Sequence, residues 1–156
     1  AQGKDGFTPL HYAAVNGQAD TVRLLVELGA DMRAHDKHGR IALHLAALWG
    51  QAETVKVLVQ LGADLHTLDA DGRTALHLAA DEGHTEAVKT LITLSADIRA
   101  RDKHGRTALQ LAADKGHAGT MKVLENALAE LVRKENDSLR SAASEGEVDE
   151  VRKLVS

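Results

Sequence analysis

The chain of 156 residues has no cysteine, a single proline and one residue each of Phe, Tyr and Trp. The absence of cysteine excludes disulfide bonds and zinc sites built on thiolates. With so few aromatic side chains, any core has to be aliphatic, and the 44% of apolar residues is enough to build one. This composition favours helices joined by short turns over a β-sandwich.

Long apolar runs and a charge excess of one sign are also missing. No stretch approaches the ~18 apolar residues of a membrane-spanning helix, and residues 1–10 show no signal peptide. The net charge of −4 gives no basic excess for nucleic acid. Phosphate loops, nucleophile elbows and metal-binding helix motifs are absent from the sequence. We therefore expect a soluble protein, either cytoplasmic or engineered, that uses no cofactor or metal and binds neither nucleic acid nor membrane.

A repeat of 33 residues dominates what is present. A Leu-His-x-Ala-Ala segment begins at Leu10, Leu43 and Leu76, and returns at Leu109 with Gln110 in place of the histidine. Glycine recurs in one column at Gly17, Gly50, Gly83 and Gly116. We divide the repeats at about residues 5–35, 36–68, 69–101 and 102–127.

Each repeat predicts a projecting turn followed by two helices. In the third repeat the first helix covers about residues 75–82, Gly83 ends it, and the second helix covers about residues 85–94. The hydroxyls of Thr8, Thr74 and Thr107 are placed to cap the first helices. Ile41 lacks that hydroxyl, which should cost about 0.5–2 kcal/mol unless packing compensates.

Helix pairs this short can bury their apolar faces only by stacking on neighbours. The segment Thr8-Pro9-Leu10-His11-Tyr12-Ala13 matches the Thr-Pro-Leu-His-x-Ala signature of ankyrin repeats, and the chain resembles that family over about residues 1–127. The resemblance implies an all-α ankyrin-repeat solenoid whose turn tips and short helices form a concave binding face. The density of near-consensus residues is also similar to that of designed ankyrin-repeat proteins.

Several histidines and aspartates recur once per repeat, which indicates structural roles. His11, His44 and His77 are expected to hydrogen-bond turn backbone between units. Paired carboxylates can do acid–base chemistry, but hydrogen bonds within turns explain the recurring acids better. Those acids are Asp31, Asp64 and Asp97 in one column and Asp36, Asp69 and Asp102 in another. The turn histidines His35, His38 and His104 are a weak alternative metal site without a closed ligand set. We expect no enzyme activity, because repetition spreads such groups along a line.

The expected partner surface combines turn tips with the ends of the first helices. Trp49 beside Leu48 is its candidate hot spot, because tryptophan buries a large area with few rotatable bonds. The alternatives are a single tolerated surface aromatic and ordinary solvated charge along the basic turn stripe. The complete candidate set is Lys37, His38, Arg40, Leu48, Trp49, Arg73, Asp81, Glu82, Lys103, Arg106 and Lys115.

The repeat pattern changes at residues 128–156. We predict an extended helix over about residues 118–134 and a final cap-like helix pair whose first helix begins at Asn136 or Asp137. This segment either caps its own chain or covers the N-terminal face of another copy, which would make a homo-oligomer. The sequence thus predicts a non-enzymatic protein-binding scaffold, and the alternative is a self-assembling repeat protein that associates through its ends.

Overall fold

The computed structural model of the chain describes residue 3 and residues 5–155. Residues 1, 2, 4 and 156, which include part of the segment tested for a signal peptide, lie outside the described residues. The helices are α1 Pro9–Val15, α2 Ala19–Glu27, α3 Ala42–Leu48, α4 Ala52–Gln60, α5 Ala75–Asp81, α6 Thr85–Thr93, α7 Ala108–Asp114 and α8 Ala118–Val155. No residue in the described ranges is in a β-strand. The predicted all-α repeat solenoid is confirmed.

The local signals that begin and end the helices act as predicted. The Thr8 hydroxyl accepts the backbone N–H of His11 at 3.3 Å at the start of α1. Gly83 follows α5 with a φ of 72°, a left-handed conformation that glycine adopts without steric cost. The observed α5 and α6 each end one residue before the predicted limit, because Glu82 and Leu94 serve as C-caps.

Ile41 begins α3 without a side-chain hydrogen bond, as its lack of a hydroxyl requires. Its side chain is only 5% exposed, so apolar packing offsets the missing cap. At the opposite end of the repeats, the Gln110 side chain accepts the Thr107 N–H at 2.8 Å, in the way that histidine does in the earlier repeats.

Within the first compact unit, which ends at Leu124, the helices form two rows. One row is α1, α3, α5 and α7 in contact, and the other contains α2, α4 and α6. Alanines let the first helices approach closely, since Ala14, Ala47 and Ala80 are all 0% exposed. Each repeat therefore gains its core by stacking on the next repeat.

The second unit begins at Glu125 and consists of the remaining part of α8. The new helix predicted at Asn136 or Asp137, and with it the final helix pair, is wrong for this structure, because α8 continues unbroken to Val155. Residues 125–155 contain no proline, and Gly146 keeps a helical backbone at a cost of only about 1 kcal/mol relative to alanine. The boundary between residues 127 and 128 stays a prediction.

All residues from 132 to 150 are exposed. None of the described helices combines the length and apolarity needed to cross a membrane.

Candidate partner-binding surface

The first helices of the second and third repeats, α3 and α5, expose side chains only at their C-terminal ends. In α3 the residues from Ala42 to Ala47 are all buried, Leu48 is half-buried and the C-cap residue Trp49 is 57% exposed. In α5 the corresponding residues are Asp81, which is half-buried, and Glu82, which is exposed. In α3 and α5, substitutions that leave the core undisturbed are therefore confined to these helix ends.

The same position in α7 carries Asp114 and Lys115, both exposed. Because α3, α5 and α7 pack side by side, these helix ends form a row. We call this row, together with the turn tips that lead into the same helices, the tip-and-end surface. Its helix-end members are Leu48, Trp49, Asp81, Glu82 and Lys115.

The turns of the second, third and fourth repeats are each built on a buried aspartate. In the second repeat, one carboxylate oxygen of Asp36 accepts the backbone N–H groups of His38 and Arg40, both at 2.9 Å. The other oxygen accepts the Nε–H of the Arg40 side chain at 2.8 Å. The same arrangement pairs Asp69 with Arg73 at 3.0 Å and Asp102 with Arg106 at 3.1 Å.

These hydrogen bonds decide the charge state of the aspartates. Burial alone would raise the pKa of Asp36, but the N–H groups and guanidinium of Arg40 and the N–H of His38 outweigh it and hold the pKa below 3.8. Asp102 has a lowered pKa from the same balance, with Arg106 and His104 as its partners. Asp36 and Asp102 are therefore ionised, and all three aspartates hold their turns by hydrogen bonds, as the turn-hydrogen-bond interpretation predicts.

Successive turn tips are joined through their main chains. The Lys37 N–H donates to the Asp5 carbonyl at 2.8 Å, and the Lys103 N–H donates to the Asp71 carbonyl at 3.0 Å. Their side chains pair as well, at 3.0 Å between Lys37 and Asp5 and 2.6 Å between Lys103 and Asp71. The Lys103 ammonium lowers the pKa of Asp71.

The predicted basic stripe is thus a surface of both charge signs. Arg40, Arg73 and Arg106 each direct their Nε–H to a buried aspartate, while Lys37 and Lys103 are exposed beside exposed or half-buried acids. The backbone carbonyl of the exposed His38 accepts the Ala70 N–H at 3.0 Å, which joins this turn to the next one.

The repeated histidines join neighbouring repeats, as predicted. In His11 the Nδ1 atom accepts the Thr8 N–H at 3.0 Å, which leaves Nε2 to donate to the Arg40 carbonyl at 3.0 Å. His77 makes the equivalent bond to the Arg106 carbonyl at 2.9 Å. Burial lowers the pKa of both His11 and His44, which favours the neutral ring that this bonding requires.

A second set of bridges was not predicted from the sequence. Gln51 donates from Nε2 to the Val15 carbonyl at 2.9 Å, and His117 donates from Nε2 to the Asp81 carbonyl at 2.9 Å. Both carbonyls belong to residues that end first helices, Val15 in α1 and Asp81 in α5, so the His117 bridge holds one member of the tip-and-end surface in place. The available signal is the recurrence of polar residues at the 33-residue period, at Gln18, Gln51, His84 and His117.

The other recurring acids also hold turns. Asp31, Asp64 and Asp97 each accept the N–H of the residue two positions later, at 2.9, 2.8 and 3.0 Å. Over residues 3 and 5–155, no three His, Cys, Asp or Glu side chains are grouped to hold a metal ion, and His35, His38 and His104 are not brought together as one.

Comparison with known proteins gives one family. The model of a family described as ankyrin repeats (3 copies) matches residues 1–69 and, in a second match, residues 61–135. No curated protein matches the chain.

Proposed function

Because this chain belongs to the ankyrin-repeat family, we propose that it is a non-enzymatic scaffold that binds a protein partner on the tip-and-end surface. Ankyrin repeats are generally protein–protein interaction modules. The observation that carries the proposal is the exposure of Trp49 at the end of a helix in which six of the seven residues, Ala42 to Ala47, are buried.

Trp49 has the properties of an interface anchor. More than half of its surface is exposed, at 57%, and Leu48 beside it extends the apolar area. A partner pocket that takes up the indole would remove a large apolar surface from water with little loss of side-chain entropy. We propose that Trp49 is the main affinity determinant.

Charge around Trp49 defines the partner chemistry. Lys37 and Arg40 lie on the turn that leads into α3, and Asp81 and Glu82 end the neighbouring helix. A partner that fits would offer an apolar pocket with acidic groups towards the turn and basic groups towards α5. Such complementarity mainly affects association rate and specificity.

The non-enzymatic part of the proposal rests on how the titratable groups are used. The buried carboxylates of Asp36, Asp69 and Asp102 are each engaged by two backbone N–H groups and an arginine. General acid–base catalysis needs groups that converge on one reacting atom. In this chain the three buried aspartates lie in three different turns, so their carboxylates do not converge on one atom.

The experiment compares partner capture by three forms of the chain. The wild type, Trp49→Ala and the control Gln60→Ala are immobilised at equal density, and proteins retained from a cell extract are quantified by mass spectrometry. Gln60 is exposed on the second helix of the same repeat. A specific partner should be retained by the wild type and Gln60→Ala and should lose about tenfold or more in affinity with Trp49→Ala.

Circular dichroism and unfolding midpoints establish that the Trp49→Ala chain is folded. Equal retention of every partner by the wild type and Trp49→Ala would contradict the proposed surface.

A further inference from the structure

A groove beside the tip-and-end surface lies between two successive turn segments, within residues 33–41 and 67–70. Its volume is about 300 Å³. The first segment contributes Arg33 to its lining, and the second segment contributes Leu68. Neither Trp49 nor any other member of the candidate set lines this groove. The groove is therefore a separate place at which the chain could bind a ligand, and we call it the turn groove.

Leu68 is an apolar side chain at a position that is polar in the neighbouring repeats. It is 56% exposed, and its counterparts one repeat earlier and one repeat later are His35 and Arg101, which are both exposed. Within residues 36–127, all of which the structure describes, Trp49 and Leu68 are the only large apolar side chains that are exposed. One exposed leucine is not by itself a binding site. The groups around Leu68 therefore decide whether the turn groove can hold a ligand.

The main chain of Leu68 has hydrogen-bonding groups that point outward. The Thr67 carbonyl accepts Nε2–H of His44 at 3.0 Å, and the Asp69 N–H donates to the Arg73 carbonyl at 2.9 Å, so both groups point into the protein. In a trans peptide unit the C=O and the N–H point in opposite directions. The N–H and the carbonyl of Leu68 therefore both point away from these inner partners. Neither group has a partner in the part of the chain that the structure describes.

These two free groups are suited to an extended peptide. In an antiparallel pair of strands, one residue on each strand exchanges two N–H···O bonds with the residue opposite. Leu68 can make both bonds with one residue of an incoming strand, and the side chains of the two paired residues then lie on the same side. An aliphatic residue opposite Leu68 would cover its exposed side chain.

Arg33 gives the turn groove its charge. Arg33 is exposed, and its guanidinium forms no salt bridge with any described residue. The nearby Asp31 accepts the backbone N–H of Arg33 and does not line the turn groove. Asp69 does line it, but this carboxylate is buried and pairs with Arg73 at 3.0 Å. The charge that remains available in the turn groove is positive and suits a carboxylate.

We propose that the turn groove binds an extended segment of a partner protein that has an aspartate or glutamate within two residues of an aliphatic residue. The aliphatic residue pairs with Leu68 through its main chain and packs on the Leu68 side chain. The carboxylate contacts Arg33. The main-chain bonds supply affinity, and the two side chains supply specificity. This contact does not involve Trp49, so it goes beyond the function proposed for the tip-and-end surface.

The test uses random peptides of about nine residues, the length of an ordinary strand, displayed on phage. They are selected on the immobilised full chain with Trp49→Ala, so that the tip-and-end surface does not dominate the selection. The enriched peptides are then synthesised with a fluorescent label and titrated against the wild-type chain by anisotropy. We expect them to carry an acidic residue within two positions of an aliphatic one and to bind the wild type and Trp49→Ala equally. Failure to enrich such peptides overturns the proposal.

Two substitutions place the peptides in the turn groove. Arg33→Glu should weaken their binding at least about tenfold, and Leu68→Ala at least about fivefold. The matched controls are Lys56→Glu, at an exposed cation on α4, and Leu28→Ala, at another exposed leucine, and neither residue lines the turn groove. Both controls should bind as the wild type does. Circular dichroism checks that all four variants are folded. Binding that survives Arg33→Glu or Leu68→Ala overturns the proposal.

A scan of N-methyl groups along the tightest peptide tests the main-chain pairing. Each N-methyl group removes one N–H donor, and successive N–H groups of an extended peptide point in opposite directions. Methylation at the aliphatic residue should therefore abolish the bond to the Leu68 carbonyl and weaken binding at least about fivefold. Methylation at either neighbour should have a smaller effect. A peptide that tolerates the methyl group at the aliphatic residue would overturn the proposed pairing.

Discussion

The Nε2 atom of His44 lies 3.1 Å from the carbonyl oxygen of Arg73, which belongs to the turn of the following repeat. The Thr67 carbonyl shares this donor at 3.0 Å, and the Nδ1 atom of the ring accepts the Ile41 N–H at 3.1 Å. A ring that accepts through Nδ1 and donates through Nε2 is neutral. Protonation of His44 would therefore turn an acceptor into a donor that faces another donor.

We expect acid to destabilise the fold in two stages. Burial lowers the pKa of His11 and His44 in the folded chain below the ordinary 6.5, so only the unfolded chain takes up these protons as the pH falls below about 6.5. Their contribution is complete above that pH and is lost below it. Asp36 and Asp102, with pKa values below 3.8, add a second loss as the pH falls below about 4.

Urea unfolding at a series of pH values measures both stages. The variant His11→Gln, His44→Gln should be less stable by about 1 kcal/mol per lost inter-repeat bond at neutral pH. Its loss of stability below pH 6.5 should be smaller than that of the wild type, because glutamine does not titrate. The glutamine side-chain oxygen can still accept the N–H that Nδ1 accepts, as Gln110 does. An unchanged first stage in this variant would mean that other groups cause it.

Asp36→Asn should destabilise the second turn by about 1–3 kcal/mol. The amide oxygen can still accept the His38 and Arg40 N–H groups, but the amide nitrogen would then face the Nε–H of Arg40, so two donors would meet in a buried site. Chemical denaturation gives the change in the free energy of unfolding. Asp31→Asn, at an exposed acid that accepts the Arg33 N–H, is the control and should change it by less than about 0.5 kcal/mol. Equal effects would argue against the buried brace.

Gly83→Ala should be more harmful than Gly116→Ala. Both glycines have left-handed backbones, with φ of 72° and 74°, so alanine costs about 1–2 kcal/mol at either site. A Cβ on Gly83 would also lie 2.6 Å from Nδ1 of His117, whereas a Cβ on Gly116 would meet no atom within 4 Å. The clash should add about 1–3 kcal/mol at Gly83 and displace the His117 bridge. Thermal unfolding of the two variants measures the difference, and equal losses would contradict the close contact.

Ser95→Gly should stabilise the chain. Ser95 holds a left-handed φ of 75° at the position where the first two repeats have Gly29 and Gly62. Relief of that conformation should gain about 0.5–1 kcal/mol after the larger entropy of glycine in the unfolded state is deducted. Ser95→Ala keeps the strain and is the control, so a similar gain in both variants would show that backbone conformation is not the cause.

The 33-residue period was sufficient to predict most of the fold. In the third repeat the predicted helix ends lie within one residue of the observed ends. The reason is that the Thr74 hydroxyl caps the start of α5 and Gly83 takes the left-handed backbone that follows its end. The bridging role of His44 could also be predicted, since an imidazole that recurs once per repeat meets the same neighbours each time.

Two of the contacts that position the candidate surface could not be predicted. The Gln51 bridge ends on the carbonyl of Val15, and a carbonyl has no sequence signature. Likewise, Arg40 is visible in the sequence as a surface cation, but its bond to a buried Asp36 depends on how the turn closes. The helix break at Asn136 or Asp137 was inferred from a repeat-like pattern, whereas α8 continues through it, as the helix propensity of these residues favours.

The inter-repeat bridges have one further consequence, which concerns how the first unit forms. The bond from His11 to Arg40 spans 29 residues and the bond from His117 to Asp81 spans 36. Since each bridge closes a loop of about one repeat, remote parts of the sequence need not find each other during folding. Any neighbouring pair of repeats can serve as the nucleus, and order then spreads outward one unit at a time.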